Sequence, residues 1–453
     1  MSDNDQSKGL SADDFKIPES SSVAGLWKKA AGVGVVGLLM AGAGFASDAE
    51  RFGFSWLMGF YAVLTMFLGT FFFVCIQHLT FAGWSVTVRR TAEFFVGGVI
   101  VIPFLFLPNL MSTSQLYPWW DLHGDGKAHA QDDHGAGASD HGGHGKDHGD
   151  AHADEGHAHS PMETAAHHAI TAKKAAYLNQ GFFHLRWVVC LLIWLWIALR
   201  LHRLSTAQDA NGDPQYTVKA QRFAPAAIIL FALSLTFFGF DWLMSLEPNW
   251  FSTMFGVRIF ASSAVLGLAL IILLSLSFKN AGVVKNEINV EHYHDLGKLM
   301  FGFLVFWAYI SFSEFFLIWY ASIPEEVVYY HMRWDDDSWR MVSSAIVGVK
   351  FIIPFFFVMS RNIKRRLPTL RMGALWLVVL HFVEMYYWVM PHYYNKVHHG
   401  HLALDGMGIV TDVGCFMACV GIYLAVVFKR MLNHPVIPVK DPRLGRALGF
   451  VNA

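Results

Sequence analysis

Long apolar stretches separated by short polar segments dominate the hydrophobic pattern of this chain. A bilayer core about 30 Å thick needs about 20 mainly apolar residues for each helix that crosses it. Ten stretches reach that length, at 27–46, 54–79, 92–110, 182–203, 223–246, 256–278, 296–322, 339–360, 370–390 and 407–431. The pattern therefore predicts an all-α polytopic membrane protein with about ten transmembrane helices.

The first stretch is rich in Gly and Ala and follows Lys28 and Lys29, an arrangement that a cleaved signal peptide also shows. However, a polar segment that includes Asp13, Asp14 and Glu19 precedes the lysines, and acidic residues there do not suit a signal. We therefore expect this stretch to be a retained spanning helix.

Composition excludes several other classes of protein. Of the 453 residues, 54% are hydrophobic and 15% are charged, whereas a soluble domain carries about 25% charged residues. The net charge of -1 leaves no basic excess for nucleic acid, so no nucleic-acid partner is expected. The four cysteines form no CxxC or haem-attachment motif, which makes a disulfide framework or covalent haem unexpected.

The distribution of Lys and Arg predicts the orientation, because cytoplasmic connections carry an excess of them. Of the 34 such residues, 23 lie in or beside the two tails and the connections after the second, fourth, sixth and eighth stretches, and 10 lie on the opposite side. Both termini are therefore predicted to be cytoplasmic. The predicted regions are a polar tail (1–26), helices 1–3 (27–110), an outer loop (111–179), helices 4–10 (180–432) and a second tail (433–453).

The outer loop is the one low-complexity region. Between His123 and His168 it holds 11 of the 23 histidines, interleaved with Gly, Ala, Asp and Glu. Such tracts can bind metal weakly, but this one has no fixed ligand spacing. A disordered, flexible outer linker is predicted, and no other metal site is expected.

Ionisable side chains inside membrane spans are costly, so each is a candidate for function. They fall at three depths: His78 and Glu93 near the inner face; Lys350, His381 and Glu384 at mid-depth; Asp241, Glu314 and Asp412 in the outer third. These eight residues are the candidates for a proton path. His381 and Glu384 share a helix face, and Lys350 is the natural counter-charge for Glu384. A buried ion pair that only fixes helix packing is the alternative interpretation, and Arg258 could pair with Asp241.

Two segments, 236–256 and 313–330, share an unusual order of residues. Each leads from an apolar helix through a carboxylate (Asp241 or Glu314) to further carboxylates beside a proline and then to aromatic residues. The aromatic residues are Trp242, Trp250, Trp319, Tyr320, Tyr329 and Tyr330. They are predicted to lie at the membrane interface, either as an ordinary aromatic belt or as part of a mouth for a planar amphiphile. The candidates for a quinone mouth are Asp241, Trp242, Glu247, Glu325 and Glu326, and the likeness of the segments hints at an internal repeat.

Three blocks carry a family resemblance: DWLMSLEPNWFSTMFG (241–256), IWYASIPEE (318–326) and QHLTFAGWSVTVRRTAE (77–93). They resemble the NrfD/polysulfide-reductase-type integral membrane subunits of bacterial alternative complex III, in particular the second of its two quinone-subunit-like proteins. The resemblance extends over about residues 25–432 without the His-rich loop. It implies two four-helix bundles plus two peripheral helices, in the bacterial cytoplasmic (inner) membrane.

The resemblance also implies a function. It points to a subunit, without a redox centre of its own, of a respiratory quinol:cytochrome c (or cytochrome oxidase) oxidoreductase complex. The implied partners are a sister NrfD-like subunit, an iron–sulfur/molybdopterin-like subunit, c-type cytochrome subunits and membrane lipid. The implied ligand is a quinone, either menaquinone or ubiquinone. Two alternatives stay open: a purely structural anchor of the same complex, and an ion-coupled secondary transporter, for which buried charges and repeats are typical.

Overall fold

The computed structural model describes residues 10–120, 173–403 and 405–451, except for the side chain of Glu325. Within these ranges the chain is helical and has no strand. Ten helices are long and apolar enough to cross a membrane: α1 Leu26–Ser47, α2 Ala49–Leu79, α3 Val86–Met111, α4 Gln180–Asn211, α5 Gln215–Leu246, α6 Phe255–Asn280, α7 Val290–Ala321, α8 Asp337–Met359, α9 Leu367–His398 and α10 Gly406–Met431. The predicted number and type of spans are confirmed.

Several helices begin before, or end after, the apolar stretch that predicts them, because polar residues continue the helix beyond the hydrocarbon. Side-chain caps fix many of the starts by accepting a backbone N–H that has no partner inside the helix. The carboxylate of Asp48, for example, accepts the N–H of Arg51 at 2.9 Å at the start of α2. The other capping residues are Asn179 for α4, Asn289 for α7, Asp336 for α8 and Asp405 for α10.

The helices form two four-helix bundles, α2–α5 and α6–α9, with α2 and α6 packed together at the centre. These two helices are buried on nearly all sides, which explains why they are apolar around their whole circumference. Their backbones touch at Gly69 and Gly267: a Cβ on Gly69 would lie 1.8 Å from the carbonyl oxygen of Ser263. Small residues of this kind let membrane helices approach closely.

The two peripheral helices, α1 and α10, form an antiparallel pair that packs against α2. Glycines line their contact as well, since a Cβ on Gly37 would lie 2.2 Å from the backbone nitrogen of Ala418. The predicted architecture of two bundles plus two peripheral helices is therefore confirmed.

Both ends of the described chain lie at one face of the bundles, called here the terminal face. The backbone N–H of Val436 donates to the carbonyl of Phe15 at 2.9 Å, which ties the two terminal segments together. The opposite face, called the loop face, carries residues 112–120, 173–179, 243–254, 322–336, 399–403 and 405. The assignment of the terminal face to the cytoplasm stays a prediction.

The predicted disorder of the outer loop is wrong for its first residues. Two aromatic side chains anchor this part of the chain to α5: Tyr117 donates its hydroxyl to the carbonyl of Trp242 at 3.1 Å, and Trp119 donates its indole N–H to the carbonyl of Ser245 at 3.1 Å. Both rings are buried. The tract from His123 to His168 lies outside the described residues.

Candidate functional site

The predicted pair of Lys350 and Glu384 forms a direct ion pair between α8 and α9, at mid-depth in the second bundle. Both side chains are at most 1% exposed. One carboxylate oxygen of Glu384 accepts the indole N–H of Trp307 at 2.7 Å, and the other accepts the hydroxyl of Ser262. The predicted counter-charge is therefore confirmed, and each carboxylate oxygen of Glu384 has at least one donor.

His381 joins the same group through both of its ring nitrogens. Its Nε2 lies 2.8 Å from the Thr65 hydroxyl of α2, and its Nδ1 lies 3.0 Å from the Ser262 hydroxyl of α6. The shared helix face predicted for His381 and Glu384 is confirmed, with 3.8 Å between Nδ1 and the carboxylate. We call the six residues Thr65, Ser262, Trp307, Lys350, His381 and Glu384 the central cluster.

A local change in helix winding places Lys350. Residues Ile346–Ile352 are wound as a π-helix inside α8. Pro354 has no N–H to donate to the carbonyl of Lys350 four residues earlier, so the regular α-helical ladder cannot continue there. The indole of Trp376 takes over one carbonyl of this segment, donating to Val349 at 2.9 Å. Such wide turns are frequent at functional positions in helices.

Burying the two charges of this pair costs several kcal/mol for each ion. The Lys350 ammonium recovers part of that cost by pairing with Glu384 and by lying 4.3 Å from the centre of the Trp307 ring. The hydrogen bonds to Glu384 recover more. An ion pair buried at this cost either fixes the packing of the helices or takes part in proton transfer. The residues that contact the pair distinguish these two roles.

Ser262 has one hydroxyl hydrogen and two acceptors for it, Glu384 and His381. When the hydroxyl donates to Glu384, the Nδ1 atom of His381 must carry a hydrogen of its own to bond Ser262. When the hydroxyl turns to His381, that nitrogen is the acceptor. The two hydrogen-bond patterns therefore differ in the direction of the Ser262 hydroxyl and in whether the Nδ1 atom of His381 carries a hydrogen.

A second ion pair lies one helical turn further toward the loop face. Arg258, four residues before Ser262 on α6, donates to Glu314 of α7 at 3.1 Å. The other oxygen of Glu314 accepts the hydroxyl of Ser252 at 2.5 Å, and Ser252 is half-buried at the loop face. The alternative pairing of Arg258 with Asp241 is wrong, because Arg258 lies in the second bundle and Asp241 in the first.

Asp241 pairs instead with Arg186 of α4, at 2.8 Å. The Arg186 guanidinium also lies 3.8 Å from the centre of the Tyr177 ring and donates to the carbonyl of that residue. The two pairs have the same plan: an arginine near the loop-face start of one helix meets a carboxylate near the loop-face end of the next. The spacing is 55 residues in the first bundle and 56 in the second, which supports the internal repeat.

The predicted quinone mouth is divided between the two bundles. Asp241 and Trp242 are buried inside the first bundle, whereas Glu326 lies on the short helix Pro324–Trp334 beside the second. Glu247 is half-buried and accepts hydrogen bonds from Asn249. The side chain of Glu325 lies outside the described residues. The structure therefore does not bring the four described candidates into one pocket.

The prediction that these aromatic residues form a belt at the membrane interface is also wrong for most of them. Trp242, Trp250, Tyr329 and Tyr330 are buried, whereas Trp319 and Tyr320 are exposed. Trp250 and Tyr329 stack with their ring centres 4.1 Å apart, and the Arg333 guanidinium covers the Tyr329 ring at 3.5 Å. These rings fill the loop-face end of the protein rather than its boundary with lipid.

The remaining candidates for the proton path form no hydrogen bond or ion pair with the central cluster in the described part of the chain. Asp412 pairs with Arg51 at 2.8 Å and accepts the Ser55 hydroxyl at 2.5 Å. Glu93 accepts from Arg89 at 2.9 Å and from the Ser205 hydroxyl at 2.6 Å, at the terminal face.

His78 is buried, and neither ring nitrogen has a hydrogen-bond partner among the described residues. Of the eight candidates for the path, the structure joins Lys350, His381 and Glu384 directly. It pairs Glu314 with Arg258, which lies one helical turn from Ser262 on α6. Asp241, Asp412 and Glu93 bond to residues outside the central cluster.

No protein-family model matches this chain, and no curated protein matches it. Among the described residues, no group of three or more His, Cys, Asp or Glu side chains is placed to hold a metal ion. The function is therefore best argued from the central cluster.

Sequence reasoning missed the uncharged members of the central cluster, Thr65, Ser262 and Trp307, and the two arginines Arg51 and Arg186. One signal was present: Arg258 and Ser262 lie four residues apart in α6, where they mark a polar face on a very apolar helix. No comparable signal exists for Thr65 and Trp307, because their partners are on other helices.

Proposed function

We propose that this chain is the membrane subunit of a respiratory quinol:cytochrome c (or oxidase) oxidoreductase complex and that its central cluster conducts protons. The observation that carries the proposal is the position of the Ser262 hydroxyl between His381 and Glu384. A serine in this position can pass a proton from one titratable group to the other, whereas an ion pair that only fixed packing would not need His381.

The transfer is a concerted shift of two hydrogens. Protonated His381 gives its Nδ1 hydrogen to the Ser262 oxygen, and the Ser262 hydroxyl gives its own hydrogen to a Glu384 oxygen. His381 ends neutral, Glu384 ends protonated and Ser262 is unchanged. Lys350, which also donates to the Ser262 oxygen at 3.2 Å, holds the negative charge of Glu384 before the transfer.

Polar groups between the central cluster and the loop face extend the proposed proton path in that direction. Arg258 is about 6 Å along α6 from Ser262, and the Glu314 carboxylate that it holds reaches Ser252 at the loop face. Oxidation of a quinol releases protons that need acceptors close to the head group. We therefore place the central cluster and the Arg258–Glu314 pair in series.

Membership of the complex is proposed on the three sequence blocks that resemble NrfD-type subunits. The proposed partners are a sister NrfD-like subunit, an iron–sulfur/molybdopterin-like subunit and c-type cytochromes, in a bacterial inner membrane. One block, 241–256, contributes to both loop-face ion pairs. It contains Asp241, which pairs with Arg186, and Ser252, which bonds to the Glu314 carboxylate of the second pair.

A matched pair of serines tests the proton path. Ser262 and Ser263 are neighbours on α6 and are both fully buried, but among the described residues the Ser263 hydroxyl bonds only to the carbonyl of Ile259. In the purified complex, reconstituted into vesicles that contain a pH-sensitive dye, we expect Ser262→Ala to slow quinol-driven proton movement by about tenfold or more. Ser263→Ala should leave the rate unchanged. Equal rates in the two variants would contradict the proposal.

A secondary transporter is the second candidate, because one observation favours it. Transporter sites lie near the midplane at interrupted helices, and the π-wound segment of α8 carries Lys350 at that depth. Purification through a tag on this chain separates the candidates. Membership of the complex predicts haem c absorbance and quinol oxidation in the tagged fraction, whereas a transporter would bring neither.

A further inference from the structure

A cavity of about 600 Å³ opens at the terminal face between α2 and α7, with Leu268 of α6 among its inner residues. Its body is apolar, lined by side chains such as Phe72, Phe73 and Phe303. Its rim holds Thr80 and Lys298, both exposed. Apolar walls of this kind favour hydrocarbon over water as their occupant.

The polar groups of the cavity lie at its outer end. Lys298 and Asp295 form an ion pair with 2.5 Å between their charged atoms. Deeper in, Gln77 is 5% exposed, and its Oε1 atom has no hydrogen-bond partner among the described residues. A buried amide oxygen without a donor costs about 1–3 kcal/mol, so a donor supplied by a ligand would be favourable.

The position of this polar end matches the membrane interface. Asp295 and Lys298 lie at the border of the apolar stretch predicted at 296–322, and Trp84, a residue type common at interfaces, also lines the cavity. The head group of a lipid that entered from the membrane would therefore stop beside the Lys298–Asp295 pair.

We propose that this cavity binds one zwitterionic phospholipid that carries a primary ammonium group, of the phosphatidylethanolamine type. Its phosphate pairs with Lys298, its ammonium pairs with Asp295, and an acyl chain occupies the apolar body against the phenylalanine rings. The ammonium has hydrogens to donate, and Gln77 offers an acceptor near the same end of the cavity. The site is independent of the proposed proton path.

Charge complementarity selects this lipid class over its competitors. The phosphate of an anionic phosphatidylglycerol could also pair with Lys298, but this lipid brings no cationic group for Asp295. Phosphatidylcholine presents a quaternary ammonium that has no N–H for Asp295 or Gln77. A prenylquinone has no charges for the Lys298–Asp295 pair.

Competition between lipids tests the site without any variant. The protein, in the assembly in which it purifies, is reconstituted with equal amounts of phosphatidylethanolamine, phosphatidylcholine, phosphatidylglycerol and a prenylquinone, extracted in mild detergent, and weighed by native mass spectrometry. We expect one retained phosphatidylethanolamine per chain, favoured about fivefold over each competitor. Preferential retention of another class, or of no lipid, would overturn the proposal.

Variants locate the site. Asp295→Asn should abolish the preference for phosphatidylethanolamine over phosphatidylcholine, and Lys298→Gln should lower the retention of both. Lys219→Gln is the matched control, an exposed lysine near the terminal-face start of α5 that lies outside the cavity. If Asp295→Asn and Lys298→Gln retained the lipids like Lys219→Gln, the lipid would bind elsewhere and the assignment would be wrong.

Discussion

At the scale of single residues, the buried carboxylates of this protein are neutralised by specific basic partners. Asp241, Glu314, Glu384 and Asp412 each meet their own arginine or lysine on a different helix. Such pairing is expected in hydrocarbon, where an unpartnered charge is costly. What distinguishes Glu384 from the other three is its link to a histidine, His381, through a shared serine hydroxyl.

Removal of one member of the Lys350–Glu384 pair should be more damaging than removal of both. Lys350→Met leaves Glu384 without its counter-charge and should lower the free energy of unfolding by about 3–5 kcal/mol. The double variant Lys350→Met/Glu384→Gln leaves no charge and keeps an acceptor for Trp307, so it should recover most of the loss. Thermal unfolding in detergent measures both. A double variant less stable than the single one would show that the charges themselves stabilise the fold.

At the terminal face, Asp441 gives a pH-dependent contribution to stability. Burial alone would raise the pKa of Asp441, but the attraction of Arg89 and the hydrogen bonds from Arg443 outweigh burial and lower the pKa below its usual value of 3.8. A carboxyl with a lowered pKa stabilises the folded state above its unfolded pKa, and that contribution is lost as the pH falls below about 4.

Asp441→Asn should therefore lower the unfolding temperature at pH 7 and should approach the wild type as the pH falls from about 4 toward 2. Thermal unfolding across that pH range is the measurement. Glu19→Gln, at an exposed carboxylate outside this ion-pair network, is the control and should match the wild type throughout. A gap between Asp441→Asn and the wild type that did not narrow in acid would contradict the assignment.

At the scale of helices, side chains from neighbouring elements donate hydrogen bonds to backbone carbonyls beside two interior prolines, which have no N–H of their own. Pro354 in α8 coincides with the π-wound segment and with the Trp376 hydrogen bond. Pro391 in α9 cannot donate to the carbonyl of Tyr387, and Arg333 donates to that carbonyl at 3.3 Å instead. Arg333 also donates to the carbonyl of Trp388 at 3.2 Å, and its fully buried guanidinium replaces the backbone donor that Pro391 lacks.

This substitution of donors predicts a rescue. Arg333→Met removes the donors and should lower the free energy of unfolding by about 1–3 kcal/mol for each carbonyl left unsatisfied. Pro391→Ala restores a backbone N–H for Tyr387, so the double variant Arg333→Met/Pro391→Ala should be more stable than Arg333→Met alone. Chemical denaturation in detergent checks the order of the variants. Additive destabilisation by the two changes would refute the link between Pro391 and Arg333.

The sequence predicts the features of helices that depend on local pattern. Apolar length gives the ten spans, and helical periodicity gives the shared face of His381 and Glu384. The partners contributed by other helices, such as Thr65 and Trp307, depend on how helices cross, and that is set by contacts such as Gly69 against Gly267. The burial of Trp242 and Trp250 was missed for the same reason: an aromatic residue near a helix end has the same local pattern whether it faces lipid or protein.

At the scale of the whole molecule, the two bundles repeat a common plan with different chemistry inside. Both carry an arginine–carboxylate pair at the loop face, Arg186 with Asp241 and Arg258 with Glu314. The second bundle adds the central cluster at mid-depth, and its Thr65 comes from α2 of the first bundle. The cluster therefore lies where the two bundles meet, and motion of one bundle against the other would act on its hydrogen bonds.

The most direct test uses the double variant Lys350→Met/Glu384→Gln, because the stability argument expects it to assemble. The measurement is the number of protons moved per quinol oxidised by the purified complex in vesicles, with Ser263→Ala as the control. The account predicts a normal yield of assembled complex together with a fall of about tenfold or more in proton movement. Proton movement equal to that of Ser263→Ala, in a complex that assembles normally, would show that this cluster serves packing and would contradict the proposed path.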